Sequence, residues 1–373
     1  MENNNSVCFV ARINEIKPIE GADKIELALI GGWNCIVQKG HYTNNALVAI
    51  ATTDAVIPQG LSDAMNVTNY LRKGQRVRTV KLKGVYSECL VIPSQFLPIG
   101  HPNQEGEDMM ETLKIFKYEP PAVQIQLASG RKVKYHQNPN FGIYYKFPNL
   151  KNVKGMFNED DLVEITRKIH GTNARYGIVK KRKLSIWDKV KRFFGDKWVD
   201  YEYVYGSHNV EKGSDSQGFY GTDVWADINN RMDIKGKLWK YVKEQGANYI
   251  GEGIVLYGEI YGAGIQKNYE YNLTTTDFAG FDIMLDGEYV STYNAWKITT
   301  FQLELPYVPI LYYGDWSQEV QDKAVFNNFI EGSKVPHEGI VIKHYTGQRN
   351  KVAKVINPDY LIYGEKHNVG DSH

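Results

Sequence analysis

Six short apolar runs follow one another in the first hundred residues, at 7–13, 25–29, 35–37, 47–50, 77–82 and 89–92, and Gly, Asn, Asp and Pro separate them. Each run is rich in β-branched residues or alternates apolar with polar, the period of a strand with one buried face. Five or six such strands within about 100 residues favour a small barrel, and an OB-fold is the economical solution.

A different pattern starts near Asn138, after the loose stretch Tyr118-Glu119-Pro120-Pro121, which puts a boundary within about ten residues of Pro121. A chain of 373 residues exceeds what one hydrophobic core usually organises. Two domains are therefore expected, a small barrel over 1–120 and a larger domain over 121–373. In the second, apolar residues at three-to-four spacing predict helices over 158–164, 223–245 and 318–330. Strands are predicted over 174–179, 253–260, 280–285, 339–344 and 351–356. These elements do not alternate regularly, so the class is α+β with antiparallel sheets rather than a doubly wound parallel sheet.

Several classes are excluded. No run approaches the roughly 18 apolar residues of a membrane span, and Met1-Glu2-Asn3-Asn4-Asn5 carries no signal-peptide core. Cys8, Cys35 and Cys89 are odd in number and form no CxxC pair, which argues against a disulfide framework or a zinc site and fits a reducing compartment. A cytoplasmic monomer without a membrane partner is expected. The net charge is +1, yet residues 165–197 hold eleven Lys/Arg against Asp188 and Asp196. The stripe is densest at Lys180-Lys181-Arg182-Lys183 and continues through Lys189, Lys191 and Arg192. A local positive stripe on a neutral protein suits a polyanion, although a solvated hairpin tip or helix face carries the same charge.

Five short pieces make sense together. They are Lys168-Ile169-His170-Gly171, Tyr257-Gly258-Glu259-Ile260-Tyr261-Gly262, Gly280-Phe281-Asp282-Ile283, Glu338-Gly339-Ile340-Val341-Ile342-Lys343 and Ala353-Lys354-Val355-Ile356-Asn357. Each alone has an ordinary explanation: a surface lysine before a turn, strand-edge charges, a core phenylalanine. Jointly they supply what nucleotidyl transfer needs. A lysine attacks phosphorus once desolvation or a nearby cation, such as Arg167, disfavours its ammonium form. Glycine at 171 lets backbone approach a phosphate closely. Lys343 and Lys354 offset charge developing on phosphate oxygens. Glu259 and Glu338 can hold a divalent metal or ribose hydroxyls, and Phe281 offers a face for a purine.

In that order and spacing the pieces resemble motifs I, III, IIIa, IV and V of the covalent nucleotidyltransferases, the ATP-dependent ligases and mRNA-capping enzymes. Lys168-Ile169-His170-Gly171-Thr172-Asn173 is similar to motif I of nick-sealing RNA ligases, where DNA ligases typically have Asp in place of His170. Tyr205-Gly206-Ser207-His208-Asn209 resembles a Ser-His-Asn element of the same RNA ligases. The N-terminal part, from Ala11-Arg12-Ile13 through Val77 to Gly84, is similar to the OB module of the Deinococcus and Naegleria type RNA ligases. These carry it before the catalytic domain, and few residues follow motif V here, leaving no room for a C-terminal one.

The resemblance implies an N-terminal OB-fold β-barrel followed by a nucleotidyltransferase (ATP-grasp-like ligase adenylation) domain. It implies an RNA ligase that uses ATP and Mg²⁺ or Mn²⁺ to join 3′-hydroxyl and 5′-phosphate ends in RNA repair, at nicks in duplex RNA or RNA/DNA. Lys168 would be the lysyl-AMP nucleophile, in an ATP site shared with Arg167, Ile169 and Asn173, the last at the ribose. Glu259 would bind ribose or metal, Glu338 metal, Phe281 adenine, and Lys343 and Lys354 the α-phosphate. Lys180, Lys181, Arg182, Ser207, His208 and Asn209 would meet RNA, as would Arg72, Lys73, Arg76, Arg78, Lys81 and Lys83 of the OB module. Motif V departs from the pattern of the phage nick-sealing enzymes: Ile356 stands where they have a second lysine, and Arg349 and Lys351, which could compensate, do not sit at the expected spacing. A DNA ligase, a capping guanylyltransferase and a non-catalytic RNA-binding protein are the alternatives.

Overall fold

The computed structural model describes residues 6–72, 74–118, 138–153, 155–212, 223–326, 328–367 and 369; Lys73 and the stretch 119–121 lie outside them. The chain divides into two compact units, Met1–Ala122 with Pro148–Met156 and Pro358–Lys366, and Val123–Phe147 with Phe157–Asn357 and His367–His373.

The first unit is built around one long strand, Cys8–Pro18. Its first half pairs with Leu47–Thr52 and its second half with Ile25–Ile30, with a register shift between Ile13 and Glu15 where it changes partner. Such an irregularity bends a strand and lets a small sheet curl. The antiparallel sheet runs Trp33–Gln38, Ile25–Ile30, Cys8–Pro18, Leu47–Thr52, Cys89–Ile92. Glu88 N–H donates to Asn34 O at 2.8 Å, which brings the two end strands together and nearly closes the barrel. Ile13, Ile30, Ile50, Cys35 and Cys89 are buried inside, and all three cysteines are free. The expected run 77–82 is strand only over Val80–Leu82, hairpinned to Val85–Ser87, while Val77 points into the core.

Two later segments complete this unit. Lys151 pairs with the buried Glu88 and lies over the Trp33 ring at 5.5 Å. From the helix Pro358–His367, Glu365 pairs with Arg78, and Asp359 lies 3.5 Å from Lys81. With Arg76 paired to Asp54, three of the basic residues expected at a nucleic-acid face already have carboxylate partners.

The second unit contains two antiparallel sheets. The larger runs Glu211–Lys212, Tyr201–Gly206, Thr172–Lys180, Gly253–Gly262, Thr276–Leu285, Glu288–Tyr289. The smaller runs Ile310–Asp315, Leu162–Lys168, Gly339–His344, Val352–Ile356. Helices Val224–Met232 and Ile234–Gln245 bury Ile228, Leu238 and Val242 against Tyr176, Ile178 and Leu256 on one face of the larger sheet. The opposite face carries Val179, Val255, Tyr257 and Met284 against Phe141 and Tyr144.

The predicted helix over 223–245 is two helices, because Asp233 adopts a left-handed conformation (φ +49°) and its side chain accepts from Gly236 N–H to start the second. The predicted helix 158–164 is absent. Leu162–Lys168 is instead an inner strand paired on both sides, with Val163 and Ile165 fully buried; tertiary pairing of a β-branched run overrides a short helical spacing. The predicted helix 318–330 shortens to Gln318–Val325. No described helix is long and apolar enough to cross a membrane.

Candidate active site

The last residue of Leu162–Lys168 is the lysine itself, and its register fixes its neighbour. Lys168 pairs with Gly339, so Glu338, one residue earlier, stands beside the lysine side chain. Lys168 Nζ donates to Glu338 Oε1 at 2.6 Å. Gly339 is required there: its φ is +150°, and a Cβ would lie 2.1 Å from Val355 O. Arg167, one residue earlier, also lines the cavity, but its Nη2 donates to Asn328 Oδ1 at 3.1 Å and burial lowers its pKa. The charge beside Lys168 is thus a carboxylate, not the expected cation.

Residues 169–171 turn the chain from the smaller sheet into the larger one. Ile169 is buried, His170 N–H donates to the Tyr271 hydroxyl at 2.6 Å, and the His170 ring meets Tyr269 edge-on. His170 Nδ1 lies 3.6 Å from Glu338 Oε2. Packing requires Gly171, since a Cβ there would lie 2.2 Å from Ile260 O and 2.9 Å from Glu259 Cγ. Gly171→Ala is expected to destabilise this unit by about 2–4 kcal/mol, because backbone and a buried acid must both yield. Chemical denaturation checks this, and an unchanged midpoint would refute the packing role.

The next strand, Thr172–Lys180, sets Asn173 opposite Glu259. Burial pushes the Glu259 carboxyl up to about 8; Lys168 pulls it down, and Glu338 pushes it up again. For Glu338, burial alone would raise the pKa, but Lys168 and His170 outweigh it and hold the group at about 2. Between about 4.5 and about 8, the folded chain therefore keeps a proton on Glu259 that the unfolded chain has lost. Stability of the metal-free protein falls as pH rises through that window, because the folded state binds the extra proton. Glu259→Gln should flatten this slope in melting curves taken with chelator from about pH 5 to about pH 8.5. Parallel curves for both proteins would contradict the assignment.

Phe281 lies on the wall of the cavity beside Lys168, edge-on to Tyr144 at 4.9 Å. Behind it, the buried Asp282 Oδ2 accepts from Tyr144 Oη at 2.9 Å, Arg349 Nη1 at 3.0 Å and Lys343 Nζ at 3.2 Å. Lys343 Nζ also donates to Phe281 O at 2.5 Å. Arg349 packs its guanidinium 3.4 Å from the Tyr289 ring centroid. Of the two residues weighed beside the motif V position, Arg349 is tied to Asp282, and Lys351 donates to Asp161 at 2.6 and 2.8 Å.

The cavity is lined by Arg167, Lys168, Ile169, Asn173, Glu259, Phe281 and Lys343, with Tyr144, Phe147, Thr166, Val308 and Val341. Lys354 does not line it, but pairs with Val341, which does, and so shares that face of the smaller sheet. The buried Asn173 Oδ1 has no hydrogen-bond partner among the described residues. Among them, too, no cluster of three or more metal-ligating side chains occurs. A divalent ion here would rest on two carboxylates, Glu259 and Glu338, with water and phosphate oxygens completing its shell, an arrangement Mg²⁺ commonly adopts.

Ser207-His208-Asn209 and Lys180 to Arg182 lie outside the cavity lining. The first is the turn between Tyr201–Gly206 and Glu211–Lys212. It joins the site through Arg175, two residues from Asn173, which donates to Ser207 O at 2.8 Å and to Phe141 O at 2.8 Å. Lys180 pairs with Glu252 and Lys181 with Asp188, while Arg182 is exposed. Arg175 had no signal in the sequence, and the grouping of Asp282 with Arg349 had only the acid next to Phe281.

A family model described as RNA ligase matches residues 161–356, and one described as an OB-fold domain matches residues 7–94. No curated protein sequence matches the chain. Among solved structures, the chain is similar to Naegleria gruberi RNA ligase in several forms. A ligand-free variant is 22% identical, with 97% of this chain and 98% of that chain covered and a TM-score of 0.69. A variant solved with ATP and Mn has the same identity and TM-score, covering 97% and 99%. The form with PPi is 21% identical, covering 98% and 99%, with a TM-score of 0.67. The two-part fold is common to all three.

Proposed function

The chain belongs to the RNA ligase family, and we propose that it is an ATP-dependent enzyme that seals nicks in duplex RNA or RNA/DNA through a lysyl-AMP and an adenylylated 5′ end. The observation that carries this is the setting of Lys168, whose Nζ lies 2.6 Å from Glu338 on a cavity wall shared with Glu259, Asn173, Phe281 and Lys343. The ATP and Mn held by a Naegleria gruberi RNA ligase of the same fold favour the same ligands here.

In the first step the neutral Lys168 amine attacks the α-phosphorus of ATP, the N–P bond forms, and pyrophosphate leaves with the electrons of the cleaved P–O bond. In the second, a 5′-phosphate oxygen attacks that phosphorus and the lysine is released. In the third, the 3′-hydroxyl attacks the 5′-phosphorus and AMP departs. Each is an in-line displacement, helped chiefly by positioning and charge.

Phe281 would stack on adenine, and the unpartnered Asn173 Oδ1 would accept from a ribose hydroxyl. Arg167 and Ile169 would fix the floor around the nucleophile. Glu338 orients Lys168 by accepting from its Nζ at 2.6 Å. A divalent ion on Glu259 and Glu338 would supply positive charge that favours the free amine. Lys343, on the cavity wall, and Lys354, on the adjacent strand, would set positive potential at the α-phosphate. The exposed Arg182, with Lys180, Lys181 and the Ser207-His208-Asn209 turn, would meet the RNA backbone.

The substrate is tested with nicked duplexes that differ only at the 3′-hydroxyl strand. Faster sealing with RNA than with DNA on that side is expected, because the 2′-hydroxyl is the group that distinguishes them. Equal rates would remove the RNA preference.

A further inference from the structure

Helix Ile186–Phe193 is attached to its unit by its polar side. Asp188, which closes a capping box with Ser185, accepts from Lys181 at 3.0 Å, and Arg192 Nε lies 3.4 Å from Asp200. The apolar side faces out. Ile186, Trp187, Phe193 and the capping Phe194 are 79, 76, 87 and 82% exposed, and Val190 is 41% exposed. At 100° per residue the five span a sector of about 120°, and Lys189 and Lys191 fall about 40° beyond its two edges. Neither lysine has an ion pair among the described residues. An outward apolar sector of this kind marks a contact surface.

We propose that this helix docks the protein peripherally on an anionic lipid surface, lying in the headgroup plane with Trp187, Phe193 and Phe194 toward the acyl chains and Lys189 and Lys191 at the lipid phosphates. The charge pattern selects this occupant. A second copy would bring its own two lysines against these. Duplex RNA would satisfy the lysines but press Ile186 and Val190, which cannot stack, against hydrated phosphate. A fluid interface takes up a convex apolar ridge and neutralises both flanks, the arrangement in which lysine stems run along apolar surface while their heads reach water. Such a peripheral helix needs no membrane-spanning segment, so the short apolar runs of the sequence do not bear on it.

The test is flotation of the full chain with vesicles of phosphatidylcholine alone or mixed with phosphatidylglycerol. Binding to the mixed vesicles only, weakened by salt and lowered about tenfold or more in Phe193→Glu/Phe194→Glu and in Lys189→Glu/Lys191→Glu, is expected. Melting curves and self-labelling with ATP, unchanged in both double variants, show that loss of binding is not loss of fold. No flotation with either vesicle overturns the proposal. So does flotation that the phenylalanine variant leaves intact. Without vesicle binding, a dimer lost in that variant would assign the face to a second copy, and RNA binding lost in it would assign the face to RNA; either result overturns the lipid assignment.

Discussion

Lys168→Ala is expected to seal no 5′-phosphorylated RNA, a loss of about 10⁴-fold or more, while still sealing RNA whose 5′ end already carries AMP. The asymmetry follows from the bond changes. In the proposed pathway Lys168 contributes a nitrogen to the first displacement and is the leaving group of the second; the third passes between two nucleic-acid oxygens and AMP. Removing the amine leaves the rest of the cavity, Asn173, Phe281 and Lys343, in place for the adenylylated end. The substitution also frees Glu338 from its 2.6 Å partner. Some change in the third step is therefore expected, far smaller than the loss of the first. Sealing rates on the two substrates check this. Equal loss on both would make Lys168 a structural residue.

Asp282→Ala carries the second large effect, on stability and activity together. Asp282 is 2% exposed and is the shared acceptor of Lys343, Arg349 and Tyr144. Without it two cations lose their partner, one of them fully buried, and removing one side of such a network costs about 3–5 kcal/mol. Asp282→Asn keeps the shape but not the charge, and should fall between alanine and the native residue. Because Lys343 also donates to Phe281 O, the carboxylate fixes the lysine and the aromatic wall as one piece. Loss of that tie should raise the KM for ATP in the asparagine variant at temperatures where it is fully folded. Denaturant titration and KM measurement together decide it. A folded alanine variant of native stability with unchanged KM would refute the network's role.

Much of the site was legible because each motif sits on a strand whose type the local pattern marks. The predicted strand 339–344 is the observed one, and 253–260 and 280–285 differ from the observed strands only in length. The start of Leu162–Lys168 reads as a helix in the sequence, because its strand character comes from pairing on both sides rather than from alternation. The partner of Lys168 could not be read from spacing. Glu338 lies 170 residues away in sequence, and only the register with Gly339 brings it to 2.6 Å. Similarly, Gly171 carried a motif signal, but its reason, the approach of Ile260 O, belongs to a strand that closes on it from a distance. The charge of Arg349 is visible in the sequence, but its partner Asp282, 67 residues away, is not. The segments 148–156 and 358–366 join the first unit through Lys151, Asp359 and Glu365, charges whose partners no local pattern announces.

The proposed function begins with the transfer of AMP from ATP to Lys168. The most direct measurement is incubation of the full chain with α-labelled ATP and Mg²⁺ or Mn²⁺, followed by digestion and mapping of the labelled peptide. An acid-labile label is expected on the peptide holding Lys168, dependent on the metal, absent with γ-labelled ATP and absent in Lys168→Ala. A label on another residue, no label at all, or a label from GTP in preference to ATP would contradict it.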